Sequence, residues 1–66
     1  MVLPNIEAVA EKVHESWIEQ KLSQGITTRL ASDGEELMVP YNELSETARD
    51  LDRTTVKAVY DAIDTL

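Results

Sequence analysis

Residues 6–24, IEAVAEKVHESWIEQKLSQ, decide the fold of this chain because they carry one amphipathic helical pattern. Most of the apolar residues recur at intervals of three to five positions, which places them along one stripe of a helix. The stripe consists of Ile6, Val9, Ala10, Val13, Trp17 and Leu22. Asn5 is suited to cap the first turn, and Gly25 can adopt the left-handed conformation that ends a helix. We therefore predict helix 1 over about residues 6–24.

Residues 26–40 lose the helical period. The segment 26–30 is rich in residues that favour strands, and Asp33-Gly34 is a turn signal. A short apolar run, 37–39, follows before Pro40. A small hairpin and an ordered loop fit this pattern equally well.

Two further apolar stripes follow Pro40. The first is Leu44, Ala48 and Leu51, and the second is Val56, Val59, Tyr60, Ile63 and Leu66. The first predicts a short helix within residues 41–51, capped by Asn42 or Ser45. The second predicts a helix that begins near Arg53 or Thr54 and runs to the chain end.

The length of the chain fits a single domain, residues 1–66, with a thin core. The fold class predicted is mostly α: a small three-helix domain with an irregular or hairpin segment between helices 1 and 2. A core this thin would gain from oligomerisation, and we expect a homodimer or a higher homo-oligomer.

The charge of the chain excludes one class of partner. Six Lys and Arg residues oppose thirteen Asp and Glu residues, which gives a formal net charge of −7. Duplex binding depends on cations that displace counterions from the phosphates, so no nucleic acid is expected to bind. A small phosphorylated ligand stays possible, because one or two well-placed cations can outweigh a screened net charge.

The remaining composition points to a cytoplasmic protein with no membrane contact. The chain contains no cysteine, which excludes disulfides, zinc–thiolate sites and thiol nucleophiles. It has neither a basic leader followed by an apolar run nor a stretch of about 18 apolar residues.

The side chains that could support catalysis or metal binding do not form a recognised set. His14-Glu15 begins like the zinc-protease helix motif, but Ile18 stands where that motif needs its second histidine. Glutamates at every fourth position of helix 1 are typical of a solvated helix face rather than a metal site. Two glycines, Gly25 and Gly34, cannot build a phosphate-binding loop. We therefore expect no enzyme activity, no metal and no cofactor.

Three segments of the chain together carry a more specific signal. They are His14-Glu15-Ser16-Trp17 with Lys21 and Gly25, then Val39-Pro40-Tyr41-Asn42-Glu43-Leu44-Ser45, then Arg49-Asp50-Leu51-Asp52-Arg53-Thr54-Thr55-Val56. Their residues and order resemble the ryanodine receptor (RyR) repeat family, in which a His-Glu-x-Trp helix precedes Pro-Tyr-x-x-Leu and an Asp-Arg step into a last helix. The chain departs from the family after Gly25, where residues 26–36 are shorter and lack the usual Trp-x-Tyr-Gly.

The resemblance implies a helical binding module rather than an ion channel. Single repeats of this family occur in bacterial and phage proteins and are associated with nucleotide-like signals. For this chain it implies a stand-alone repeat that senses or sequesters an adenine-containing nucleotide, such as a cyclic nucleotide or cyclic ADP-ribose. A phage anti-defence sponge is one form that such sequestration takes. The alternative is a protein-interaction or structural module without a small ligand.

The candidate binding residues come from both the helical spacing and the matched motifs. They are Trp17, Lys21, His14, Tyr41, Asp52 and Arg53. His14, Trp17 and Lys21 share one face of helix 1, where an aromatic ring beside a cation suits a base with a phosphate. In this hypothesis Lys21 and Arg53 contact phosphate, while Asp52 or His14 binds the base or sugar. The same spacing also fits a core tryptophan covered by a lysine side chain.

Overall fold

The computed structural model describes residues 3–66 and contains two long helices joined by an ordered loop. Helix α1 spans Ile6–Ser23, a 3-10 turn spans Tyr41–Glu43, and helix α2 spans Glu46–Thr65. Met1 and Val2, the first residues of the predicted domain, lie outside the described residues. The prediction of a mostly α fold is confirmed. Neither α1 nor α2 has the length and apolarity that crossing a membrane requires.

Both ends of α1 are set by local capping. The side chain of Asn5 accepts a hydrogen bond of 2.7 Å from the amide of Glu7. At the other end Gly25 has a φ of 79°, a left-handed conformation that a β-carbon would strain. There the amide of Ile26 donates to the carbonyl of Lys21 at 2.9 Å. These bonds satisfy terminal groups that the helix itself leaves free.

The loop after α1 is ordered by two consecutive glutamates. One antiparallel bridge joins Leu30 and Glu36, so the hairpin alternative is realised in its smallest form. The carboxylate of Glu36 accepts hydrogen bonds from the hydroxyl of Thr28 and from the amides of Arg29 and Met38. These bonds, that of Thr28 first, hold the pKa of Glu36 below its ordinary value.

Glu35 joins the loop to the start of α2. Its carboxylate accepts hydrogen bonds from the amide of Ser45 at 2.8 Å and from the Ser45 hydroxyl at 2.6 Å. The same hydroxyl oxygen accepts from the amide of Ala48 and so caps α2. The position of the loop is thereby fixed relative to the helix that follows it.

The prediction of three helices is wrong, because the expected second and third helices form one continuous helix. No glycine or proline interrupts residues 46–65. A row at intervals of four, Ala48, Asp52, Val56 and Tyr60, is the buried and half-buried side of α2. Asp52 belongs to this row although it is an acidic residue. It interrupts the apolar pattern at the position where the sequence predicts a boundary between the second and third helices.

The core lies between α1, the 3-10 turn and the first half of α2. Its buried apolar residues are Ala10, Tyr41, Leu44, Ala48 and Val56. His14 is the one buried residue of residues 3–66 that is not apolar. At the edge of the core the hydroxyl of Tyr60 donates to the carbonyl of Pro4 at 2.8 Å. Because the core is small, every group that faces it strongly affects stability.

Candidate functional site

A cavity of about 400 Å³ opens between α1, the loop and α2. It is lined by Val13, His14, Trp17, Leu37, Leu44, Ala48, Leu51, Asp52 and Thr55. Most of the wall is apolar, and its polar groups come from both helices. Apolar cavities of about 300–1,000 Å³ with a few fixed polar groups are typical of small-molecule sites.

His14 forms the inner wall of this cavity and is 3% exposed. Its Nε2 lies 2.7 Å from the carbonyl oxygen of Val39, so Nε2 carries the hydrogen and donates. Its Nδ1 lies 3.4 Å from a carboxylate oxygen of Asp52. Both neighbours of the ring are acceptors, so a hydrogen must also lie between Nδ1 and the carboxylate for the pair to be satisfied.

Asp52 projects from the core-facing row of α2 and is only partly open to solvent. Its side chain is 19% exposed. Burial raises the pKa of the Asp52 carboxyl above its ordinary value, while the neighbouring imidazole of His14 acts in the opposite direction. Asp52 therefore places a polar group, able to accept a hydrogen bond, in the wall of a mainly apolar cavity.

Trp17 provides the flat part of the wall. Its ring stacks on the ring of His14 with the centroids 5.7 Å apart and the planes 26° apart. Trp17 is half-buried, so part of the indole is still accessible from the cavity side. The ring of Tyr41 also lies beside His14, with the centroids 6.2 Å apart and the planes tilted by 57°.

Arg53 lies outside the cavity lining, in a cluster of carboxylates. Its guanidinium binds Glu7 of α1, and it binds Glu46 and Asp50 of α2 at 2.9 Å each. These bonds raise the pKa of Arg53 further and, through its hydrogen bond to Glu7, lower the pKa of Glu7. The guanidinium is therefore already paired with three carboxylates.

Tyr41 and Lys21 also lie outside the lining of the cavity. Tyr41 is buried in the core, and its hydroxyl lies 3.3 Å from both carboxylate oxygens of Glu7. Burial first, and then the charge of Glu7, raise the pKa of Tyr41. Lys21 is half-buried one turn after Trp17, and no carboxylate within residues 3–66 forms an ion pair with it. Of the six predicted residues, His14, Trp17 and Asp52 meet at the cavity.

The apolar walls of the cavity were not identified from the sequence as site residues. The sequence pattern indicates only a helix stripe for Leu44, Ala48 and Leu51, and a short apolar run for Leu37. Nothing in the spacing indicates that Leu37 crosses to α1. The carbonyl of Val39, which orients His14, is a backbone group that no side-chain pattern reveals.

Comparison with known proteins identifies the family. The RyR domain family model matches residues 2–66. The chain therefore belongs to the RyR domain family, as the motifs around His14, Tyr41 and Asp52 predict. Neither the curated proteins nor the solved structures give a significant match.

Proposed function

We propose that this RyR domain is a non-catalytic binder of an adenine-containing nucleotide signal and that the cavity between α1 and α2 takes the base. The observation that carries the proposal is the meeting of Trp17, His14 and Asp52 at one apolar cavity. A nucleobase has flat apolar faces and a polar edge, and this wall offers partners for both. The ligand would be sensed or sequestered, not transformed.

The base is proposed to lie against the indole of Trp17. Stacking of a base on an aromatic side chain contributes about 1–3 kcal/mol. The carboxylate of Asp52 can accept a hydrogen bond from the exocyclic amine of adenine, which is a donor on the edge of the base. The apolar side chains of Leu44 and Leu51 would cover the rest of the ring.

Phosphate is assigned to Lys21 rather than to Arg53. Lys21 follows Trp17 by one helical turn and is free of ion pairs within the described chain. Arg53 would have to release Glu7, Glu46 or Asp50 before it could bind a phosphate. A lysine one helical turn from an aromatic ring matches the two parts of a nucleotide.

We infer binding without catalysis from the state of His14. Its Nε2 donates to Val39, and its Nδ1 faces Asp52, so neither ring nitrogen is available to accept a proton from a substrate. The imidazole therefore acts as a fixed part of the wall. It orients the Asp52 carboxylate and stacks on the ring of Trp17.

A thermal-shift series with AMP, ADP-ribose, cyclic AMP, cyclic dinucleotides and cyclic ADP-ribose tests the proposal. A ligand at 100 times its Kd stabilises the fold by about 2.7 kcal/mol. For a domain of this size each kcal/mol raises Tm by roughly 4–8 °C. We expect at least one adenine compound to raise Tm by about 10 °C or more and to change the fluorescence of Trp17, the single tryptophan.

Variants on α1 separate the proposed contacts. Trp17→Ala should weaken binding by roughly 1–3 kcal/mol for the stacked face. Lys21→Gln should weaken binding of phosphorylated ligands but not of adenosine, because only the phosphate is assigned to Lys21. Lys12→Gln is the matched control, since Lys12 is an exposed lysine on the same helix, and Glu15 is its one ion-pair partner within residues 3–66. Equal effects of the two lysine variants would contradict the assignment.

The alternative function, a protein-interaction module, is favoured by one specific observation. Leu51, Val59 and Ile63 of α2 are exposed although they are large and apolar. Two results together would favour this alternative: no nucleotide changes Tm, and the one effect of Trp17→Ala is to lower the stability of the fold. The cavity would then be part of the core, and the exposed side of α2 would be the functional surface.

A further inference from the structure

One side of α2 exposes apolar and uncharged side chains to solvent. We call it the uncharged face and define it as Leu51, Thr55, Ala58, Val59, Ala62 and Ile63. Its large residues are 61% (Leu51), 52% (Val59) and 42% (Ile63) exposed. The charged residues that follow Asp52 in α2 project from the other side of the helix, because each residue turns about 100° from the last. They are Arg53, Lys57, Asp61 and Asp64.

The chain as a whole exposes more surface than a compact monomer of its mass and length would. The accessible surface is 4777 Å² for 7.4 kDa, whereas a compact monomer of this mass exposes about 4,200 Å². The radius of gyration is 13.0 Å, whereas a compact chain of this length has about 10.8 Å. The excess surface, roughly 600 Å², approaches the roughly 800 Å² that each partner buries in a stable interface.

A second copy of this chain suits the uncharged face better than a charged partner does. Two copies each carry −7, so they repel wherever their charged surfaces meet. Asp52 is the one charged residue of α2 in the same sector, and its carboxylate faces His14 with a side chain that is only 19% exposed. At the uncharged face two copies can therefore approach without placing exposed like charges opposite each other. A basic partner would instead be attracted to the acidic surfaces of the molecule.

The face is also complementary to itself. If two α2 helices cross antiparallel about a two-fold axis at Val59, each Val59 meets Val59 of the other copy. Thr55 then lies opposite Ile63 of the other copy, and Ala58 and Ala62 allow the backbones to approach. The length from Leu51 to Ile63 is about 18 Å, at about 1.5 Å per residue, which is enough for a helix-pair contact.

We propose that two copies of this chain form a homodimer through the uncharged face, with their α2 helices antiparallel and Val59 at the two-fold axis. This inference does not depend on ligand binding. It does connect to the cavity, because Leu51 and Thr55 belong both to the uncharged face and to the cavity wall. The second copy would therefore narrow the open side of the cavity.

Sedimentation equilibrium of the free protein from micromolar to millimolar concentration tests the dimer. We expect the average mass to rise from that of one chain toward that of two. Val59→Glu places two carboxylates together at the axis and should weaken dimerisation by roughly tenfold or more. Lys57→Gln changes the net charge by the same amount on the other side of α2 and should dimerise like the natural chain. Circular dichroism would show that both variants keep their helices.

A crosslinking experiment tests the axis itself. The chain has no cysteine, so Val59→Cys introduces a single thiol. Mild oxidation should join two copies of Val59→Cys rapidly, whereas Lys57→Cys should stay mostly uncrosslinked. A single-chain mass at every concentration, or equal crosslinking of the two variants, would overturn the proposal. Dimerisation of Val59→Glu as strong as that of the natural chain would do the same.

Discussion

Three variants, His14→Leu, Asp52→Leu and the double replacement, form a thermodynamic cycle that measures how far each side chain depends on the other. His14→Leu removes the donor to Val39 and leaves the partly buried carboxylate of Asp52 without its neighbour. Asp52→Leu leaves Nδ1 of a buried ring without a partner. The double variant buries neither a charge nor a ring nitrogen, and only the carbonyl of Val39 stays unsatisfied.

The magnitudes follow from the burial of the two groups. An unsatisfied buried polar group costs about 1–3 kcal/mol. The side chain of His14 is 4% exposed, so Asp52→Leu should cost toward the upper end. Water reaches part of the Asp52 carboxylate, so its share of the cost of His14→Leu is smaller. Removal of both partners of a buried pair is often neutral or stabilising relative to removal of one. We therefore expect the double variant to be about 1–3 kcal/mol more stable than the sum of the single effects predicts.

Urea denaturation followed by circular dichroism at neutral pH measures the cycle. A domain of this length is stable by about 3–10 kcal/mol, so a loss of about 1–3 kcal/mol leaves a measurable transition over most of this range. Additivity of the two single effects within about 0.3–0.5 kcal/mol would refute the coupling. Nitrogen NMR of the one histidine gives an independent check, since Nε2 of His14 must carry a hydrogen if it donates to Val39.

Three further outcomes are expected. Glu36→Gln should lower Tm at neutral pH. Because the pKa of Glu36 is lowered in the fold, the stability that its carboxylate contributes is full above the ordinary pKa of 4.5 and is lost as the pH falls through the lowered pKa. The plots of Tm against pH for the variant and the natural chain should therefore converge in acid. Parallel plots would contradict this. Arg53→Gln should lower Tm more than Lys12→Gln does, and the difference should shrink in molar salt because exposed ion pairs are screened; a difference that persists in salt would assign Arg53 a packing role. Chelator should leave Tm unchanged, because no three His, Asp or Glu side chains within residues 3–66 are arranged so that they could hold a metal ion, and a large fall would reveal a metal.

Helix α1 could be predicted almost to the residue because its signals are local. The predicted range of 6–24 compares with Ile6–Ser23 in the structure. Asn5 caps one end and Gly25 ends the other, and both act through groups of the adjacent turn. The place of Asp52 on the core-facing side of α2 depends instead on a residue far away in sequence. Asp52 is acceptable in the core-facing row because His14 lies opposite it, and a one-dimensional pattern does not contain that information.

The candidate site divides in the same way. Spacing on one helix correctly placed His14 beside Trp17, because residues three apart are neighbours on a helix. The order of motifs along the chain could not tell which side of the fold Tyr41 and Arg53 would occupy. The structure places Tyr41 in the core, and Arg53 among carboxylates of both helices. The family itself was recognisable from motif order, and that prediction is confirmed.

Four consecutive residues of α2 project into three different surroundings. Asp50 binds the guanidinium of Arg53, Leu51 is exposed, Asp52 faces His14, and Arg53 reaches across to α1. An insertion or deletion of one residue just before this stretch would rotate all four by about 100° relative to the residues that follow the loop. Each of the four side chains would then face surroundings that suit a different residue. We therefore expect length changes here to be tolerated far less than single substitutions, so that the register of these four positions constrains the gene more tightly than the identity of any one of them.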